Sequence, residues 1–582
     1  MMLKTDLEEQ FDQYGVTITD EIVEKCLELC EEHNISNASE FVENWMAYTI
    51  NKLNGADPKP STIEDMVRQE YENTKKTQRT DDTNDETLKI YGIESKEIEL
   101  DDNIMDSYIE PTSPKRKKVL PTVTAKTPNG ALFSPASFQP LSEGEKKEKI
   151  DSGKVLCSFG RAQLIKDCQW KHFRNGNVKI KLSGKGEFMN ESDRYMVDTL
   201  SMRSTIQYDE MRTLGKEIFD KIRPEERGEE TIEKIFKNTS INVPSTKAIT
   251  AVGRLITLKD EKISPKNVTL VGLDPEEFHM VKLDLSNCQN YSLYPGQVVL
   301  VRGKNENGDT ILVDWITSAT EISFSQAPII KNVPLSIVAT SGPYTANDNL
   351  SFQPLQDLVK YCHDNPPDIL IMTGPFLNAN NASLTNMADR FDAHFERIIE
   401  QLVNNLESQT HILIISSHED INSTFVYPTH PYRCQQRFEN VHFLPDPCIV
   451  DIEGVQIGIT STDTISTMSD NELSFNEGAD AIKRSIFHMF HKKSFYPIRP
   501  GNVPLDVGLA QRYAKLSALP NLLILPSDVK EFIRDYNNCL TINPGRLHKG
   551  QETGTFARIV LHPTDSPQAK FFNYVAGQVV KI

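Results

Sequence analysis

Five short runs in the last 250 or so residues constrain this chain more than any other feature. PLSIVAT (334–340), DILIMT (368–373), HILIIS (411–416), GVQIGIT (454–460) and NLLILP (521–526) are almost continuously apolar. A strand without polar alternation has to be covered on both faces. Amphipathic segments at 387–405 and 480–493 offer the cover. The pattern predicts an α/β layered domain over 326–582, with any site in the Ser-, Gly- and Pro-rich loops that follow the strands.

Residues 153–325 carry a different period. Short alternating runs at 155–159, 177–182, 248–257, 267–273, 279–285, 297–303 and 310–316 are separated by turns such as Tyr294-Pro295-Gly296, with a helical insert near 208–237. Several short strands in that length predict a small closed β-barrel of the OB type. Residues 1–75 read as a helical bundle. Ile22, Val23, Cys26, Leu27, Leu29 and Cys30 recur at helical spacing, as do Phe41, Val42, Trp45 and Met46, and Asn37/Glu40 and Ser61/Glu64 have capping-box spacing. Such short helices need an outside face to pack on, which suits a docking module.

Between them, 76–152 reads as a disordered linker. Residues 61–110 hold 15 acids and 6 bases, whereas 111–150 hold 8 bases, 3 acids and six prolines, too few large apolar groups to offset ordering entropy. Lys115, Arg116, Lys117 and Lys118 form a basic cluster of the nuclear-import kind. Ser113, Thr127 and Ser134 each precede a proline and are candidate phosphosites. A phosphate on Ser113 would set about −1.5 to −2 charge beside the cluster and weaken its grip on an acidic receptor.

Composition removes several classes. Lys plus Arg number 63 against 82 Asp plus Glu, a net charge of −19, which excludes a dedicated basic duplex-binding protein. Nine cysteines include no CxxC pair, so a disulfide framework or zinc knuckle is not expected and a reducing compartment is. No run approaches a membrane span, the acidic N-terminus is unlike a secretory signal, and no glycine-rich phosphate cradle announces a cofactor.

The loops after the α/β strands read SGPY (341–344), TGPFLNANN (373–381), SSHED (416–420), TSTD (460–463), LPSDV (525–529) and TINPGRLHKG (541–550). Their order and spacing resemble the calcineurin-like metallophosphoesterases, whose loops carry DxH, GDxxD, GNHD, a further His and GHxH followed by NPG. A two-metal hydrolase needs carboxylates and imidazoles there, holding cations about 3.5–4 Å apart. Laid on that pattern, Gly342 and Tyr344 stand for DxH, Pro375 and Asn378 for the acids of GDxxD, and Ser416, Ser417, His418 and Glu419 for GNHD. Residues 525–529 hold no histidine, and Asn543-Pro544-Gly545 keeps a turn. The resemblance therefore implies an α/β/β/α phosphoesterase domain that has lost its metal site, with no catalytic residue.

An inactive hydrolase behind a barrel resembles the B subunits of the replicative DNA polymerases, most closely those of the polymerase alpha–primase complex. SLYPGQVVLVRG (292–303), SGPYTANDNLSFQPLQDLV (341–359), DILIMTGPFLNA (368–379), GITSTD (458–463), LILPSDVKEF (523–532) and INPGRLHKGQETGTFARI (542–559) carry the resemblance. It implies a nuclear, non-catalytic scaffold. The barrel and inactive domain would grip the C-terminal region of the catalytic subunit, in one complex with the small and large primase subunits. The complex would make primers at initiation and on the lagging strand, the N-terminal domain would tether other replication factors, and DNA contact would be mainly indirect.

Three alternatives are retained. The B subunits of polymerases delta and epsilon share the degenerate hydrolase and barrel. A divergent phosphoesterase or nuclease would use His418, Glu419 and Asp463. A single-strand-binding barrel would use Trp170, Lys171, Phe173, Arg174, Lys179, Lys181 and Lys185, in which rings and bases alternate with no acid between them.

Overall fold

The apolar runs become the central strands of two stacked sheets. In the computed structural model the described residues are 152–582 apart from 183–187, 224–230, 238–240, 258–260, 274–278, 326–329, 331–332, 537, 551 and 565–569, together with scattered helical positions before residue 64. Two compact units divide the chain, Met1–Thr124 and Ala125–Ile582. In the first, Ile22, Val23, Cys26, Leu29, Phe41, Val42 and Trp45 are helical and buried, as their spacing predicts, and so is Ile63. The basic cluster 115–118, the phosphosites Ser113, Thr127 and Ser134, and the proposed caps lie outside the described residues.

In the second unit, strands β1 (Val155–Phe159) and β2 (Ile180–Leu182) precede helix α1 (Leu200–Lys221). Then come β3 (Ser245–Thr257), β4 (Val268–Val271), β5 (Met280–Asp284), β6 (Val298–Asn305) and β7 (Thr310–Thr317). These five close a barrel in the order β3-β4-β5-β7-β6. β5 alternates exposed and buried residues along its length, as a wall with one wet face must. The interior is filled by residues such as Leu255, Leu270, Val281, Leu283, Val299 and Ile311. Each such side chain contributes about 1.5–3 kcal/mol by leaving water.

Helix α1 lies across the barrel, its apolar face Met211, Leu214, Ile218 and Phe219 packed on Val252, Val298 and Leu300. It starts at residue 200, earlier than the apolar period suggests, because the Thr199 hydroxyl accepts from the Met202 amide and caps the first turn. It stops at Lys221, and a separate short helix covers Ile232–Lys237, so the expected 208–237 insert is two pieces.

The remainder comprises β8 (Leu335–Ser341), α2 (Gln353–Asp364), β9 (Ile369–Thr373), α3 (Phe391–Asn405), β10 (His411–Ile415), β11 (Val441–Leu444), β12 (Cys448–Ile452) and β13 (Val455–Ile459). It continues with α4 (Thr464–Asn471), α5 (Ala481–Lys492), β14 (Leu522–Ile524), β15 (Phe532–Tyr536), β16 (Cys539–Asn543), β17 (Thr555–Leu561) and β18 (Val575–Lys581). One sheet runs β1-β18-β17-β8-β9-β10-β11 and the other β15-β16-β14-β13-β12-β2. β8 to β11 are mutually parallel.

Alternate residues of each strand face opposite ways. Ile337, Ala339, Ile369, Ile371, Leu413 and Ile415 meet Val450, Val455, Ile457, Leu522 and Ile524 of the facing sheet. Val338, Leu370, Met372, Ile412 and Ile414 face outward onto Leu355, Leu358, Phe395 and Ile399 of α2 and α3. On the far side, Leu523 and Leu525 pack against Ile465 of α4 and Ile486, Met489 and Phe490 of α5. Four layers result, helix–sheet–sheet–helix.

One expectation is corrected. The runs at 155–159 and 177–182, expected in the barrel, are edge strands of the two sheets. β1 pairs antiparallel with β18 (Val155↔Val580) and β2 with β12 (Leu182↔Val450). The local β signal was right, but both pairing partners lie more than 250 residues downstream and leave no local trace.

Candidate functional site at the strand ends

The loops that leave β8, β9, β10 and β13 converge, as the parallel topology requires. Gly342 is a point of close approach: a Cβ there would collide with the Pro375 carbonyl. Tyr344 is fully buried; its hydroxyl donates to the Thr373 carbonyl at 2.9 Å and its ring stacks on Phe376 at 4.6 Å. Burial pushes its phenol well above the usual range, so it stays neutral. Asn378 accepts the Asn380 amide at 2.9 Å, shaping a turn. Ser417 is buried and its hydroxyl accepts the Glu419 amide at 3.2 Å. His418 Nδ1 lies 3.4 Å from Thr462 Oγ1.

Sequence reasoning passed over two acids here. Asp420 is fully buried and accepts from the Phe376 amide at 3.0 Å, the Leu377 amide and the Tyr432 hydroxyl. Burial raises its carboxyl to about 6 against the lowering effect of these donors. Asp446, equally buried, accepts from Thr460 Oγ1 (2.7 Å), the Ser461 amide (3.0 Å), Ser461 Oγ (2.8 Å) and Thr462 Oγ1 (2.8 Å). Its carboxyl is also raised, by burial. Both tie loops together rather than face open space. The sequence offers a weak signal for Asp420, in the run Ser416-Ser417 to Ser423-Thr424, and none beside Asp446, whose donors Thr460, Ser461 and Thr462 are brought to it by the fold.

A third group lies in the INPGRLHKG segment (542–550). Arg546, directly after the Asn543-Pro544-Gly545 turn, is only 8% exposed and reaches across the strand ends. Its Nη1 donates to Ser341 Oγ at 3.1 Å and its Nε to Asp528 Oδ1 at 3.1 Å, while Nη2 lies 3.5 Å from Asp463 Oδ2. The turn aims it: Asn543 Oδ1 accepts the Ser527 and Gly545 amides, each at 3.0 Å, and Gly545 sits at φ +71°. Asp463 also caps α4 by accepting the Ser466 amide at 2.9 Å, and accepts the Asp528 amide at 2.8 Å. One guanidinium thus bridges the ends of both sheets. Among the described residues no three His, Cys, Asp or Glu side chains are grouped so as to hold a metal ion.

The proposed nucleic-acid run lies away from the barrel, against the layered part of the chain. Buried Asp368 accepts the amides of Phe173 at 3.1 Å and Arg174 at 2.8 Å. Arg174 donates to the Val333 and Pro334 carbonyls and pairs with Glu453 at 3.1 Å. The Arg558 guanidinium lies 4.4 Å over the Trp170 ring. Lys171, Lys179 and Lys181 are exposed, and Lys185 lies outside the described residues. The ring and the arginine that would stack on a base and hold a phosphate already serve as internal contacts.

Family models match three stretches: the N-terminal domain of the DNA polymerase alpha B subunit over 5–73, the OB domain of the same B subunit over 227–318, and the DNA polymerase alpha/epsilon B subunit over 337–534. Among curated relatives, the chain is 32% identical to the DNA polymerase alpha B subunit of Drosophila melanogaster, with 100% of both chains covered. It is 27% identical to that of Mus musculus, covering 95% of each. Among solved structures, wild-type Vps29 from Entamoeba histolytica aligns at 8% identity and a TM-score of 0.20, over 40% of this chain and 88% of that one.

Proposed function

This chain belongs to the family of DNA polymerase alpha B subunits, and from that premise we propose that its four-layer domain is a calcineurin-like phosphoesterase without its metals, serving as a platform for the catalytic polymerase subunit. The accessory role belongs to the family, and the relatives' alpha designation sets aside the delta and epsilon alternatives. The observation that carries the proposal is Arg546. It delivers a fixed positive charge to Ser341, Asp463 and Asp528, among the strand ends where a hydrolase would seat paired cations. A guanidinium stabilises neighbouring carboxylates but cannot lower the pKa of a bound water as a divalent ion does.

Loops fixed on strand ends are rigid and shaped, which suits recognition of another chain. On this reading the barrel and platform hold the C-terminal region of the catalytic subunit, the primase subunits join through the complex, and contact with DNA is mainly indirect. The 1–75 domain tethers other replication factors, and the 115–118 cluster directs the chain to the nucleus. The complex supports primer synthesis at initiation and on the lagging strand.

Affinity purification from nuclear extract tests the proposal: the polymerase alpha catalytic subunit and both primase subunits should co-purify. Stoichiometric manganese or zinc in the purified chain, with phosphodiester cleavage abolished by His418→Ala, would overturn the metal-free platform. For the linker, Ser113→Glu should reduce nuclear import; unchanged import counts against regulation through Ser113.

A further inference from the structure

Four ionisable side chains meet where α1 and barrel strand β3 press on the end of α5 and the loop after it. Glu210 Oε2 accepts from Arg254 Nη2 at 2.7 Å and from Arg499 Nη1 at 3.1 Å, and Lys492 Nζ lies 3.0 Å from Glu210 Oε1. All four side chains are less than a tenth exposed. One carboxylate therefore faces three cations when Lys492 is protonated, leaving up to two positive charges in excess in a place withdrawn from water. Among the described residues, the buried Nε atoms of Arg254 and Arg499 have no hydrogen-bond partner. Unmatched buried charge and idle buried donors are both costly, unless another group completes them.

A cavity of about 320 Å³ opens beside this cluster, lined by Glu210, Lys492 and Arg499 together with Thr213, Ser494 and Lys515. Two further acids, Asp209 and Glu217, also line it, and Glu217 pairs with Lys493 at 2.6 Å.

We propose that this cavity is an anion site that takes a phosphate group, as inorganic phosphate or on a mononucleotide, seated against Lys492 and Arg499 and locking the barrel to the layered domain. A phosphate dianion supplies the negative charge that the cluster lacks, and its oxygens accept the charge-assisted hydrogen bonds that a guanidinium fork and an ammonium offer. The cavity wall comes from both sides of the junction, Glu210 and Thr213 of α1, which packs on the barrel, and Lys492 and Arg499 of the layered domain, so an anion held there stiffens the junction as a whole.

The pH behaviour follows from the groups facing Lys492. Burial brings its ammonium down to about 7; Glu210 opposes this, and Arg254 and Arg499 reinforce it. Asp209, Glu217, Lys493 and Lys515 line the same cavity, and the buried Tyr294 phenol stays neutral. An anion favours the protonated lysine. Sulfate, which does not titrate in this range, should therefore bind more weakly as pH rises above 7.

The test uses the full chain at constant ionic strength, with chloride as the reference ion and phosphate, sulfate and AMP as probes, followed by calorimetry and thermal melting. Saturable one-to-one binding and a raised melting temperature are expected. Arg499→Gln and Lys492→Met should each weaken binding by about tenfold or more, the loss of one charge-assisted hydrogen bond. In Glu210→Gln the site gains positive charge, so sulfate should bind about tenfold more tightly and restore part of the stability lost. AMP binding as phosphate does identifies the free ion as sufficient; tighter AMP binding identifies a nucleotide; both support the site. The site is overturned if phosphate and sulfate act no differently from chloride, or if a folded Arg499→Gln protein binds as well as the unaltered chain. Should that variant not fold, unchanged sulfate affinity in Glu210→Gln overturns it equally.

Discussion

Replacing Arg546 with methionine would remove the guanidinium that Asp463, Asp528 and the Ser341 hydroxyl share. Because Asp528 is largely exposed and water can take part of the load, the expected cost is about 2 kcal/mol, below the full penalty of a buried orphan charge. Urea unfolding measures it, and an effect within experimental error would remove Arg546 from the account of the site. Asp446→Ala should cost more, about 3 kcal/mol or above, since it strands four donors with no route to water. Glu210 makes a pH prediction. Burial alone would raise its carboxyl, but Lys492, Arg499 and Arg254 bring it down to about 2 from 4.5. A lowered folded-state value means that the unfolded chain binds the proton more readily in between, so this stabilisation is complete above pH 4.5 and is lost as pH falls toward 2. The loss amounts to about 3 kcal/mol, and Glu210→Gln should flatten that part of the stability profile.

At the scale of elements, α1 shows how local pattern and tertiary fit divide the work. A helical insert was readable near 208–237, but the reason for Gly215 appears only in the packed helix: a Cβ there would collide with the Val252 side chain on the barrel. Gly215→Val should lift the helix and cost about 1–3 kcal/mol through overpacking. Val252→Ala should recover part of that in the double variant, and strict additivity of the two changes would argue against close contact. The same division explains what the sequence told and withheld. Strands β8, β9, β10 and β14 were legible because continuous Ile, Leu and Val need two covers. The ownership of β1 and β2 was not, because β propensity is local while pairing with β18 and β12 is decided hundreds of residues away. The loops that carry Tyr344, Pro375 and His418 are the ones the order of motifs singled out. Arg546, Asp420 and Asp446 were not assigned, because their roles depend on which donors the fold brings within reach.

For the whole molecule, the interleaving of its parts sets what can be separated. A boundary drawn at residue 326 would look natural from the change of sequence period, yet it removes β1 and β2 from the edges of both sheets. The outer edge of β18 would then be bare over the Val155–Phe159 register, and that of β12 where Leu182 and Ile180 pair. It also removes residues 172–174, whose backbone and guanidinium bond to Pro366, Asp368, Val333 and Pro334. Among the described residues, the buried Asp368 carboxylate would retain only the two donors of Ser336. Exposed strand edges with apolar faces pair with whatever strand is available. A fragment of residues 326–582 should therefore aggregate or fail to unfold cooperatively, whereas residues 152–582 should stay soluble and melt in one transition that includes the barrel, because α1, the barrel and α5 share the Glu210 cluster. Size-exclusion chromatography and calorimetry of the two fragments distinguish the cases. A monomeric, cooperatively folding 326–582 fragment would mean that the two edge strands add little, and that the junction, rather than the sheets, is what holds residues 155–182 in place.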